Sequence, residues 1–237
     1  MLFRSIFYGI GAIIGIVFLI LMIIKGVRAN NSRAIIGYEI FGSSVILTFL
    51  FSTLYHSITN IKTKSILRIF DHSSIYLLIA GTYTPIILII FSAPKRYYFL
   101  FATWAIALGG ILFKIFTHGK YEKYAKVSLF LYILMGWISL LLIRPIIRYG
   151  TFRFFFWILA GGIIYTLGTI FFEMKKVKYS HFIWHLFVLT ASIFHIIGIY
   201  KIFDLTYFAQ IMNFHQFVQN FILKSIVYVK IKIGERG

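Results

Sequence analysis

Residues 6–24 read IFYGIGAIIGIVFLILMII, nineteen positions without a charge or a proline. At a helical rise of about 1.5 Å per residue, this run spans roughly 28 Å, close to the hydrocarbon thickness of a bilayer. It lacks the short polar–apolar alternation of a barrel strand. It also lacks a small-residue cleavage site, so it reads as a retained span rather than a removed leader. The run therefore reads as a transmembrane helix, and the rest of the chain repeats it.

Six further apolar runs follow, at residues 35–58, 70–91, 97–116, 125–143, 152–172 and 181–200. The breaks between them are basic or turn-forming: KGVRANNSR, KTKSILR, APKR, THGKYEK, RPIIRYG and EMKKVKYS. Loops this short make neighbouring spans antiparallel. The expected fold class is all-α: a polytopic membrane protein built as a seven-transmembrane helix bundle. Residues 1–202 form the membrane domain and residues 203–237 a separate amphipathic, basic tail. In that tail Gln210, Asn213, Gln216 and Asn220 recur every three or four positions between Phe208, Met212, Phe217 and Phe221, the pattern of a helix lying on a membrane. IVYVKIKI then alternates like a strand.

Composition narrows the function. Of 237 residues, 60% are hydrophobic, far more than a soluble core of this size needs. The formal net charge is +18, but the Lys and Arg residues sit between apolar runs, where they meet lipid headgroups; no nucleic-acid partner is expected. The loops that share a side with the N-terminus hold the larger part of that positive charge, which favours a cytoplasmic N-terminus. The chain has no cysteine, so a transition metal would need His, Asp, Glu or water. No feature specifies an oligomeric state.

Chemistry concentrates at one membrane face. His181 and His185 lie four apart in SHFIWHLFV, one turn apart on one face of a helix, a spacing suited to zinc. In an alternating seven-span topology the end of the second span and the starts of the third and seventh share a side. His56, Asp71, His181 and His185 therefore belong to one face whichever way the chain is oriented. Three imidazoles would leave a fourth zinc position for water, made acidic near neutral pH. Asp71 then serves as general base or orients a ligand. Ser52, one turn before His56, has a hydroxyl suited to a developing oxyanion. Structural readings stand beside each role. Ser52 is equally suited to bonding its own helix carbonyl, Asp71 to opening a helix after a basic loop, and each histidine to an interfacial position. His72 lies about 100° around the helix from Asp71, on a different face. His195, about 15 Å beyond His185 at helical rise, reads as a packed polar residue. His118 and His215 read as loop and interfacial residues. AGTYTP, ending at Pro85, reads as a bend that packs helices or lines a cavity.

FLFSTLYHSI (49–58), FDHSSIYLLIAGTYTP (70–85) and HFIWHLFVLTASIFH (181–195) resemble, in order, the three signature blocks of the hemolysin III family, the bacterial branch of the progestin and adipoQ receptor proteins. FYGIGA (7–12) resembles the opening block, with Tyr8 where a histidine is common. The resemblance covers roughly residues 5–202. It implies seven helices with a zinc ion near their cytoplasmic end, held by His56, His181 and His185. It makes Asp71 the partner of the metal-bound water and Ser52 the serine of a serine–histidine motif. The wider superfamily includes alkaline ceramidases, so the implied reaction is hydrolysis of an amide bond in a membrane lipid, at the inner membrane of a bacterium. The family name implies instead a pore-forming, cytolytic protein, for which no span shows a continuous polar stripe. A receptor-like sensor with structural zinc is the third expectation.

Overall fold

The computed structural model describes residues 2–174, 179–180 and 182–201. His181 and the whole of the 203–237 tail, with its expected surface helix and strand, lie outside the described residues. Among the described residues, seven helices are long and apolar enough to cross a membrane, as expected from the seven runs. They are α1 (Leu2–Arg28), α2 (Ser32–Ser57), α3 (Ile61–Ile90), α4 (Lys95–Phe116), α5 (Tyr121–Trp137), α6 (Ile143–Glu173) and α7 (Phe182–Lys201). A 3-10 turn, Ile138–Leu142, joins α5 to α6.

Two boundaries differ from the sequence reading, and both have local causes. The basic segment KTKSILR is helical rather than a loop: the Asn60 side chain accepts a hydrogen bond from the Thr63 backbone N–H at 3.1 Å, so α3 starts at Ile61. Asp71 consequently lies about 15 Å inside α3 and is 6% exposed. It does not open a helix, so the N-terminal carboxylate explanation fails. RPIIRYG is likewise helical. Pro145 lies in the first turn of α6, where its missing N–H costs nothing, and the break falls in the apolar turn before it.

α1 packs along α2, α2 along α3 and α3 along α4, and α3 also meets α5 and α6. α3 is the central post: nearly every residue from Asp71 to Pro85 is buried. Small residues let it approach α2, since a Cβ at Gly37 would stand 2.7 Å from the Pro85 Cα. α3 runs unbroken through Pro85. The Thr82 and Thr84 hydroxyls bond Leu78 and Ala80 carbonyls, and the Tyr83 hydroxyl reaches the Met135 and Gly136 carbonyls of α5. On the outside, residues such as Ile13, Phe101 and Leu141 are exposed, the apolar surface that lipid would cover.

Candidate functional site

Ser52 and His56 lie one turn apart in the last turns of α2, and His185 lies in the first turn of α7. The fold brings them together. The fully buried Ser52 places its Oγ 3.4 Å from His185 Nε2. Four other side-chain hydroxyls of this helix, on Ser44, Thr48, Thr53 and Ser57, bond carbonyls one turn back. Ser52 turns away from its own helix, so the local-carbonyl explanation does not hold for it. The His56 and His185 rings stand 5.8 Å apart, centroid to centroid, and nearly perpendicular at 89°.

Asp71 enters from α3. Its carboxylate and His185 line one cavity of about 20 Å³, with Thr48, His72, Ile75, Phe172, Trp184 and Val188 as the other walls. That volume admits about one water or one small ion. The Ser52 hydroxyl also stands close to the Asp71 carboxyl. His72 is nearer the centre than its helical position suggests, with Nε2 4.0 Å from Asp71 Oδ2.

Tyr8 is the residue the spacing arguments passed over. From α1 its ring lies 5.1 Å from that of His56 and 4.1 Å from that of His185, and it is fully buried. It was visible only as a departure from the first resembling block. His215 lies outside the described residues, while His195 and His118 sit as expected. His195 Nε2 meets the Ile158 carbonyl at 3.1 Å, packing α7 on α6, and the exposed His118 meets Ser65 Oγ at 2.9 Å.

A second cavity, of about 120 Å³, begins where the first ends. Thr48, Ile75, Trp184 and Val188 line both. It continues past Leu78, Thr82, Tyr83, Ile158 and Gly162 to His195, between apolar walls. The AGTYTP segment therefore both packs helices and lines this space.

Whether the donors suit zinc is decided by spacing. Two imidazoles on one tetrahedral zinc, with Zn–N of about 2.0–2.1 Å, keep their centroids roughly 5 Å apart. The His56–His185 separation is close to that, and both side chains stand on helices of the bundle. Among the described residues, no three His, Asp or Glu side chains are grouped to hold a metal by themselves. His181, expected from the sequence as a further ligand, lies outside them.

Comparison with known proteins bears on the whole described bundle. The family model described as Haemolysin-III related matches residues 2–196. Hemolysin-3 of Bacillus cereus is 44% identical over 189 residues, 80% of this chain and 85% of that protein. The Hemolysin-3 homolog of Bacillus subtilis (strain 168) is 42% identical over 189 residues, 80% of this chain and 87% of the relative. The human monocyte to macrophage differentiation factor is 31% identical over 170 residues, 68% of each chain.

Proposed function

Since the chain belongs to the hemolysin III family of integral membrane proteins, we propose that it is a zinc-dependent hydrolase that cleaves the amide bond of a membrane lipid, as alkaline ceramidases do. One observation supports this reading above the rest. Asp71 and His185 face a water-sized space that shares four wall residues with an apolar cavity of about 120 Å³. A reactive centre of polar groups thus adjoins room for part of an acyl chain.

His56 and His185 would hold the metal, with His181 completing the set. When bound, zinc supplies Lewis acidity and an acidified water. The chain's own groups do the rest. Asp71 takes a proton from the attacking water and returns it to the departing nitrogen. Ser52 donates a hydrogen bond to the carbonyl oxygen as negative charge builds there. Tyr8 covers both histidine rings on the α1 side and keeps bulk water off them. One amide and one water give one carboxylic acid and one amine. In this reading the site lies at the cytoplasmic end of the bundle, in the plasma membrane of a bacterium, because the loops on that side carry the larger share of Lys and Arg.

The deciding assay is release of fatty acid from ceramide by the purified full chain, with metal content measured in the same sample. His181→Ala combined with His185→Ala is expected to lose both zinc and turnover. Undiminished turnover in that variant would overturn the proposal. Dye leakage from the same vesicles that survives the substitutions would point to lysis instead. The apolar walls of the larger cavity argue against a water path there.

A further inference from the structure

A third cavity, of about 230 Å³, lies between the start of α3, the end of α4 and the start of α5. Its chemistry is unlike that of the other two. Arg68, Lys114, Lys120 and Lys123 line it, with Glu122 as its one carboxylate. Lys114 is the informative member. It is 7% exposed, yet no hydrogen bond or ion pair to it exists among the described residues. Its ammonium lies 5.2 Å from the Tyr121 ring and 5.6 Å from the Tyr132 ring. The Arg68 guanidinium lies 5.4 Å from the same Tyr121 ring, and its Nε donates to the Tyr55 hydroxyl at 3.3 Å. Neither cation has a carboxylate within ion-pair distance among the described residues. Two positive groups thus converge on one aromatic ring at the wall of the cavity, Lys114 on a side chain that is mostly buried. With no carboxylate within ion-pair distance of either, two cations facing one cavity repel each other, and ring faces offset that only in part.

We propose that this cavity binds a phosphate group, on a lipid headgroup or free, between Lys114 and Arg68. The site has the needed parts: a point charge at the end of a mostly buried side chain, a planar fork of donors, and flanking lysines at the rim. Its volume is several times the roughly 30 Å³ share of one water, enough for a phosphate with its oxygens solvated. It is distinct from the candidate hydrolytic site but shares one wall, because His72 lines both this cavity and the small one at Asp71. Binding here therefore stands one side chain from Asp71.

The test uses the full chain in detergent, with native mass spectrometry to count retained lipid and a thermal ramp to read stabilisation. The probes are dioleoyl phosphatidic acid, dioleoylglycerol as the same chains without phosphate, and inorganic phosphate. Phosphatidic acid should be retained about tenfold more than dioleoylglycerol, with Lys114→Met and Arg68→Gln each removing most of that preference and Lys114→Arg keeping it. Inorganic phosphate that raises the melting temperature of the parent but not of Lys114→Met, with no preference for phosphatidic acid, would identify free phosphate as the source. Without any anion, Lys114→Met should melt at or above the parent, because two like charges no longer face one cavity. Should that variant fail to fold, Arg68→Gln decides the matter. Neither probe binding, or both binding Arg68→Gln as well as the parent, overturns the site.

Discussion

Ser52 shows how little a residue's own helix says about its role. By spacing alone it matches Ser44, Thr48, Thr53 and Ser57, all of which bond carbonyls behind them. Only the arrival of α7 gives it His185 as partner. On the proposed function, Ser52→Ala should therefore act on turnover rather than on folding. If the hydroxyl stabilises charge on the substrate carbonyl, turnover falls by about 10²–10³-fold while zinc content and melting temperature stay near those of the parent. If it only steadies His185, zinc content falls as well. Parent-like turnover in Ser52→Ala would remove Ser52 from the mechanism. Asp71 was half legible: its placement at one face followed from topology, but its depth did not. The cap at Asn60 moved the start of α3 back by a segment that reads as a basic loop. Tyr8 was not legible from spacing at all, since an aromatic in an apolar run carries no periodic signal.

At the scale of elements, length and charge made the seven spans readable, because hydrocarbon requires about twenty apolar residues and expels Lys and Arg to its edges. Where a helix ends is a local matter of caps, and the 3-10 turn Ile138–Leu142 carries four apolar residues and one serine, so no charge or proline announces it. What the runs could not show is how closely they approach. Gly37 and Pro85 set the spacing of α2 and α3, and a methyl group there meets backbone, which no rotamer relieves. Gly37→Ala is expected to cost about 1–3 kcal/mol and to lower the melting temperature. Gly109→Ala, where a Cβ meets open space on α4, should leave it unchanged or raise it, since alanine favours helix. Equal effects of the two in a thermal unfolding series would mean that the α2–α3 contact does not limit stability.

Among the described residues, three spaces lie along the buried α3, and their order is itself an argument. The water-sized cavity at Asp71 lies on α3 between a cationic pocket and a long apolar one, so polar and apolar parts of a lipid would meet its walls in the order in which such a molecule carries them. If the apolar cavity receives an acyl chain, its depth should select chain length. Gly162 lines that cavity, and a Cβ added there meets nothing within 4 Å, so a side chain can start there in open space. Gly162→Leu should keep the fold, the zinc content and the turnover of short-chain ceramides, while kcat/KM for long-chain ceramides falls about tenfold. That is the size expected when two or more methylenes, at roughly 0.8 kcal/mol each, lose their apolar surroundings. The measurement is a series of ceramides of increasing acyl length on parent and variant side by side. A uniform loss across the series would trace the effect to folding. No change at any length would mean that the substrate's chain lies elsewhere, leaving the cavity without a part in the reaction.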